Sequence, residues 1–354
     1  MNDVWGGRRS GKLACVPAAA DDGSSAPAIG NIGSPQMKVS RCTSRGAPLR
    51  TREGTWILGL VALSLLASAC APQEYHANTP AQYQTAASCA QVNRDNLYAA
   101  AGYFNATLTV ATGDPAFPPW WEGGTTGEHP EWKLNDPYLG EGYEGAVTFE
   151  VAKRLGFSED RVRFVRVGFN ESFAPGYKGF DFVLQQISYL PERAEGVDFS
   201  EGYYDVNQAL VSVQGSPIAD AASLEELRDA SLGAPIGTTS LTYIEDNIQP
   251  GTQPVVYDDL GAAVKGLKNG QVDGIVVDLP SATFITSVQI PKGVIVGQLP
   301  TVGSQEYFAM AFEKGSPLVE CVNLALQEIK DDGTLEEIRK TWLSDDADAP
   351  VIEG

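Results

Sequence analysis

In an acidic chain, Arg193 stands within PERAEGVDFSEGYY, residues 191–204, between Glu192 and Glu195 and just ahead of an apolar, aromatic segment. Its planar guanidinium could grip a carboxylate through two parallel charge-assisted hydrogen bonds. It could equally pair with Glu192 or Glu195 on a helix surface, an arrangement of little energetic weight. Two further candidates share a device. Asp181 opens an apolar run that ends at Gln186, and Asp273 opens one that ends at Asp278; each run follows a glycine, Gly179 or Gly270. Carboxyl ends of strands border the ligand crevice in open α/β sheets. Gln185, Gln186 and Asp278 are therefore expected at a cleft edge, the alternative being two unrelated exposed strand ends.

Other chemistries find no support. The two histidines, His76 and His129, and the absence of paired-cysteine spacing argue against a metal site, and no cofactor motif is present. No G-x-S-x-G stretch occurs, which disfavours a serine hydrolase. The net charge of −20 opposes nucleic-acid binding, which relies on clustered Lys and Arg.

The amino-terminal third carries address information. Residues 56–69, WILGLVALSLLASA, form an apolar run too short to cross a bilayer of about 30 Å and suited to the core of a secretory signal. Lys38, Arg41, Arg45, Arg50 and Arg52 precede it and Cys70 follows it. LLASAC resembles a bacterial lipobox, with Ala67 in place of the usual Leu, so Cys70 is expected to carry lipid; the alternative is an ordinary signal with a cysteine beside it. Translation is expected to start at Met37, with residues 1–36 an upstream segment and 37–69 the signal. Residues 70–88, polar and without period, read as a flexible tether. With Cys15 and Cys42 in the discarded part, Cys89 and Cys321 remain, and an even remainder in an exported chain suggests one disulfide. Two separately buried thiols are the alternative.

From Cys89 onward, strand-like runs alternate with helical patterns. Strands are expected at 108–112, 162–167, 180–186, 208–213, 231–237 and 272–278. Helices are expected at 146–156, 223–229 with Ser223 as cap, 260–270 and across 322–343. This alternation implies α/β lobes with mainly parallel sheets.

Residues 105–343 resemble the extracellular solute-binding proteins of family 3, the amino-acid receptors of bacterial ABC importers. FDFVLQQISYLPERAEGVDFSEGYY carries the most specific likeness: a strand, a Ser-containing turn, a Pro-Glu-Arg helix start and an acid-Phe-Ser-x-x-Tyr-Tyr segment. GYEGAVTFEVAKRLG is similar to the family's Gly-aromatic-acid helix signature, with Ala146 at its second acid; DPAFPPWW and GTTS are similar to the first-strand loop and the second-lobe carboxylate loop. Leu190 replaces a family Thr.

The resemblance implies a type II periplasmic-binding-protein-like α/β fold: lobe 1 from 104–207 and 302–345, lobe 2 from 208–301, joined by two crossing strands. It implies that Arg193 clamps the ligand's α-carboxylate and that Asp278 holds its ammonium. Thr239, with the N–H groups of Thr238 and Thr239, would add carboxylate donors, and Ser188 a hydroxyl. Phe117 and Trp120 would wall the side-chain pocket, and Asp114 stands where binders of basic amino acids place an acid. Together with Gln185 and Gln186 these give a polar or basic amino acid as ligand, an ABC permease as partner, a monomer anchored to the membrane through Cys70, and no covalent chemistry. One rival is an enzyme on the same fold, such as a dehydratase, drawing on Glu128, Glu144 or Glu171. The other is a sensor that signals through a membrane partner.

Overall fold

The structure, a computed structural model, describes Thr85, Ala86, Cys89, residues 107–343 and residues 349–354. The upstream segment, the signal, Cys70 and His76 lie outside the described residues.

In chain order the strands are β1 (Leu108–Thr112), β2 (Val162–Arg166), β3 (Phe182–Val183), β4 (Val197–Val206), β5 (Gln208–Val213), β6 (Leu232–Pro235), β7 (Val255–Tyr257), β8 (Gly274–Asp278), β9 (Gly293–Gln298) and β10 (Glu306–Glu313). The helices are α1 (Tyr143–Arg154), α2 (Phe169–Ser172), α3 (Pro191–Ala194), α4 (Thr239–Tyr243), α5 (Leu260–Lys268), α6 (Leu279–Phe284), α7 (Leu318–Asp331) and α8 (Thr334–Trp342). Two five-stranded sheets result, in the orders β2-β1-β3-β10-β4 and β7-β6-β8-β5-β9.

The architecture is that of a type II periplasmic binding protein, with two α/β lobes. The chain passes from the first sheet to the second at Asn207, between β4 and β5, and returns over residues 299–305. Because β5 and β10 enter their sheets from these crossings, each runs antiparallel to both neighbours, while β1 and β6 pair in parallel on both sides. The sheets are mixed, which corrects the expectation of mainly parallel ones.

Three local expectations also need correction. Residues 180–186 give a strand of only two residues, because Gln186 turns into the left-handed region at φ 50°. Residues 223–229 give a single 3-10 turn, Glu225–Leu227, and Ser223 bridges to Glu353 instead of capping a helix. The tether is docked before residue 88: Ala86 is buried and donates its N–H to Glu328 Oε1 at 2.8 Å.

Cys89 is bonded to Cys321 on α7, with the Cα atoms 5.7 Å apart. Helix α7 turns Cys321, Val322, Ala325, Leu326 and Ile329 towards the first sheet, the spacing of an amphipathic helix. The sequence device shared by the two halves has a structural counterpart. Asp181 Oδ2 accepts the Thr109 N–H at 2.7 Å while its own N–H bonds Thr109 O, and Asp273 does the same with Ser231, at 2.8 Å through Oδ2. Each aspartate locks the strand it opens beside a parallel neighbour, β3 beside β1 in lobe 1 and β8 beside β6 in lobe 2. The chain ends of these strands then fall on the same border, where the lobes meet.

Candidate functional site

Between the lobes lies a cavity of about 130 Å³, lined on one side by Phe117, Gln185, Gln186, Ser188 and Arg193 and on the other by Thr238, Thr239 and Asp278. Arg193 sits on α3, a single turn that Pro191 starts; proline suits a first helical position because its missing N–H would have no partner there. The guanidinium donates to Ser188 O at 2.7 Å and, across the cleft, to Gly237 O at 2.8 Å. Its carbon lies 4.4 Å from the Phe173 ring centre and 5.6 Å from that of Phe169, so aromatic faces hold it in place. Among the described residues no carboxylate oxygen approaches it within 4.0 Å, so it is not the surface partner of Glu192 or Glu195. At 8% exposure, burial draws its pKa down to about 10, opposed by the charges of Glu306 and Glu192. A cation buried without a contact anion favours an anionic ligand group.

Gly237 carries the carbonyl that meets Arg193, at φ 76°, and a Cβ there would stand 2.0 Å from Asn170 Oδ1. Only glycine lets the second lobe come this close. Thr238 caps α4: its oxygen accepts the Leu241 N–H at 3.2 Å and its proton goes to Pro235 O at 2.8 Å. As the first groups of a helix, the N–H groups of Thr239 and Ser240 have no partner within it.

Asp278 ends β8 and caps α6, accepting the Ser281 N–H through Oδ2 at 3.3 Å. Desolvation raises its pKa; bonds from Ser281 lower it and the charge of Glu306 raises it further. An ammonium at this place would supply the missing counter-charge. Arg193 on lobe 1 and Asp278 on lobe 2 are thus brought to one cavity.

Gln185 reaches the cavity past Gly113, where a Cβ would meet its Nε2 at 2.5 Å, and it accepts the Ser172 hydroxyl at 2.9 Å. Gln186 is fastened from below by Glu144, whose Oε1 takes its N–H at 2.7 Å and whose Oε2 takes its side-chain amide at 2.5 Å. Glu144 also accepts from Tyr203 Oη and, at 2.9 Å, from Trp121 Nε1. It is wholly buried, and desolvation lifts its pKa to about 7 against these four hydrogen bonds.

Two expected site residues lie elsewhere. Trp120 is completely buried, edge-on to Tyr143, Tyr204 and Phe308 at 5.3–5.8 Å, with Nε1 donating to Ser281 Oγ of lobe 2 at 2.9 Å. Its neighbour Trp121 lines the cavity instead. A ring with three edge-on partners gains more in the core than in a wetted wall. Asp114 turns away from the cavity to Lys133 at 3.5 Å and Arg166 at 3.4 Å, while Gly113 and Pro115 beside it line the cavity. Glu128, Glu144 and Glu171 are all absent from the lining. Glu128 is exposed, Glu144 lies under the floor, and Glu171 closes the first turn of α2 through the Gly168 N–H.

The sequence reading missed Trp121, Phe169, Asp259, Gln208 and Thr112, all of which line the cavity. Phe169 follows the end of β2, so the strand-end rule that selected Asp278 also points to it. Asp259 is the cap of α5, accepting the Ala262 N–H at 2.8 Å. Thr112 Oγ1 is buried with no hydrogen-bond partner among the described residues. Among those residues no group of three His, Cys, Asp or Glu is placed to hold a metal, and no helix is long and apolar enough to cross a membrane.

A family model described as bacterial extracellular solute-binding proteins, family 3, matches residues 124–345. The chain is 27% identical over 218 residues to the arginine-binding extracellular protein ArtP of Bacillus subtilis (strain 168), covering 60% of this chain and 81% of that protein. It is 26% identical over 217 residues to the ABC transporter glutamine-binding protein GlnH of the same strain, covering 60% and 77%. A solved ancestral arginine-binding protein bound to arginine superposes with a TM-score of 0.55 at 28% identity, over 68% of this chain and 99% of that one.

Proposed function

Because the chain belongs to the bacterial extracellular solute-binding proteins of family 3, we propose that it is an extracytoplasmic receptor that closes on one amino acid and hands it to the permease of an ABC importer. The observation that carries this reading is the pairing of opposite charges across one cavity, the buried Arg193 of lobe 1 and the half-buried Asp278 of lobe 2. A free amino acid carries the complementary pair on one carbon. Its α-carboxylate takes the guanidinium and the N–H groups of the Thr238–Thr239 turn; its ammonium takes Asp278. Because each charge belongs to a different lobe, one zwitterion engages both only when the cleft is closed, so binding favours closure.

The side chain of the ligand is polar or basic. Gln185 and the Thr112 hydroxyl offer polar contacts, Phe117, Trp121 and Phe169 offer flat apolar ones, and Asp258 and Asp259 add negative charge to the lining. Relatives named for arginine and glutamine fit that range. The receptor works as a monomer held at the membrane by lipid on Cys70. No bond is made or broken in the ligand.

A thermal-shift screen of the domain from residue 70, with Cys70→Ser, against the twenty amino acids tests the reading. One or a few amino acids are expected to stabilise it, by about 2.7 kcal/mol at a hundredfold excess over Kd, and Arg193→Ala is expected to remove the shift. No shift with any of the twenty would contradict it.

A further inference from the structure

Behind the cavity wall, outside the lining itself, stands a further carboxylate of the protein's own. Glu306 is the first residue of β10, where the returning segment re-enters lobe 1. Its Oε1 accepts from the Ser188 hydroxyl of lobe 1 and, at 2.6 Å, from the Thr239 hydroxyl of lobe 2; its Oε2 accepts from Gln208 Nε2 at 3.1 Å. Gln208 is fixed in turn by the Ser240 hydroxyl, 2.6 Å from its Oε1. The Glu306 charge acts on both Arg193 and Asp278.

A hydroxyl has one proton to give. Ser188 and Thr239 line the ligand cavity, and both donate to Glu306. An α-carboxylate arriving beside Arg193 therefore meets two hydroxyl oxygens with only lone pairs to offer, and a second negative charge behind them. We propose that Glu306 is an internal competitor of the ligand's carboxylate and sets the affinity of the site, keeping it below what Arg193, Ser188 and Thr239 would give unopposed. The inference rests on the amino-acid reading above. It suits a receptor that must release its cargo, because affinity differences within one kind of complex lie mostly in the dissociation rate.

The test is calorimetric titration of L-glutamine and L-arginine into the native domain and the Glu306→Gln variant. The amide keeps the shape and removes the charge; its one oxygen is claimed by the Gln208 Nε2 donor, which turns the NH2 towards Ser188 and Thr239, so that it donates to their oxygens and their protons are returned to the ligand. Affinity for whichever amino acid the native domain binds is expected to rise at least tenfold, most for L-glutamine, whose side chain has no charge to lose by removal of the acid. Glu306→Ala should move in the same direction if the amide perturbs folding.

A double-mutant cycle gives the sharper readout. Thr239→Ala is expected to weaken binding several-fold more in the Glu306→Gln background than in the native one, because only there is the hydroxyl proton free for the ligand. Unchanged or weaker binding in Glu306→Gln, or equal cost of Thr239→Ala in the two backgrounds, would overturn the inference and make Glu306 a latch between the lobes. If neither binds, the titration is extended to the other eighteen amino acids, and binding of none of the twenty by any of these proteins would overturn the amino-acid reading itself.

Discussion

Lobe 1 packs its sheet with rings, among them Trp120, Trp121, Tyr143, Phe182, Tyr203, Phe308 and Phe312. Lobe 2, on the same strand order, packs with Leu, Ile, Val and Ala and buries one ring, Tyr243. Lobe 1 also holds the disulfide and the buried Glu144. The two lobes then bring different things to the cleft. Lobe 1 contributes walls and the guanidinium, all braced from behind. Lobe 2 contributes the starts of helices, with Thr238, Asp259 and Asp278 each capping one. A shared topology thus fixes where the strand ends meet, and the filling of each half decides what chemistry it presents.

The comparison can be broken most severely at Trp120. Trp120→Ala should cost about 4 kcal/mol, the range for deleting a large buried ring, measured by urea unfolding. It should also loosen the lobe contact made with Ser281. A cost under 1 kcal/mol would show that lobe 1 does not depend on its rings.

Replacing Cys89 and Cys321 by serine should cost about 3 kcal/mol, since the bond closes a loop with a sequence separation of 232 residues. Melting with and without reductant gives the value. Native and variant proteins with the same melting temperature in oxidant would contradict it.

Next comes pH. Glu144, raised to about 7, and Asp181, raised to about 6, both in lobe 1, hold protons more tightly folded than unfolded because burial disfavours their charged forms. Their contribution is fully present below the unfolded carboxylate range and is lost as pH rises through those folded values. Stability should therefore fall between pH 5 and pH 8, by up to about 3 kcal/mol from Glu144, and Glu144→Gln should flatten the profile. Identical profiles for native and variant would remove Glu144 as the cause.

The smallest effect tests likeness between the lobes. Asp181→Asn and Asp273→Asn each weaken one acceptor for a main-chain N–H, at Thr109 and Ser231, and each should cost about 1–2 kcal/mol. A large cost in one lobe and none in the other would show that the repeated device serves only one of them.

How much of this was legible in the sequence follows the same division. The strand ends are readable because apolar runs and their opening aspartates are local, and so the sequence alone points Gln185, Gln186 and Asp278 to the cleft, whose lining includes all three. The helix caps of lobe 2 are partly readable: Asp259 stands directly before LGAAVKG, the place of an N-cap. What could not be read was which of two adjacent tryptophans faces inward. That depends on Tyr143, Tyr204 and Phe308, which come from separate elements and meet only in the fold. Nor was Glu306 visible, because its three donors lie 118, 67 and 98 residues away. The mixed sheets escaped for a related reason: strand direction is set by the two crossings, which no local pattern records.

The central claim is that one zwitterion bridges Arg193 and Asp278. The most direct measurement takes the amino acid that best stabilises the domain and titrates it beside two analogues, the amine lacking the α-carboxylate and the N-acetyl form lacking the ammonium. The free amino acid should bind and each analogue should bind at least a hundredfold more weakly. An analogue that binds as tightly as the amino acid would show that one of the two charges is not engaged, and the bridge would have to be abandoned.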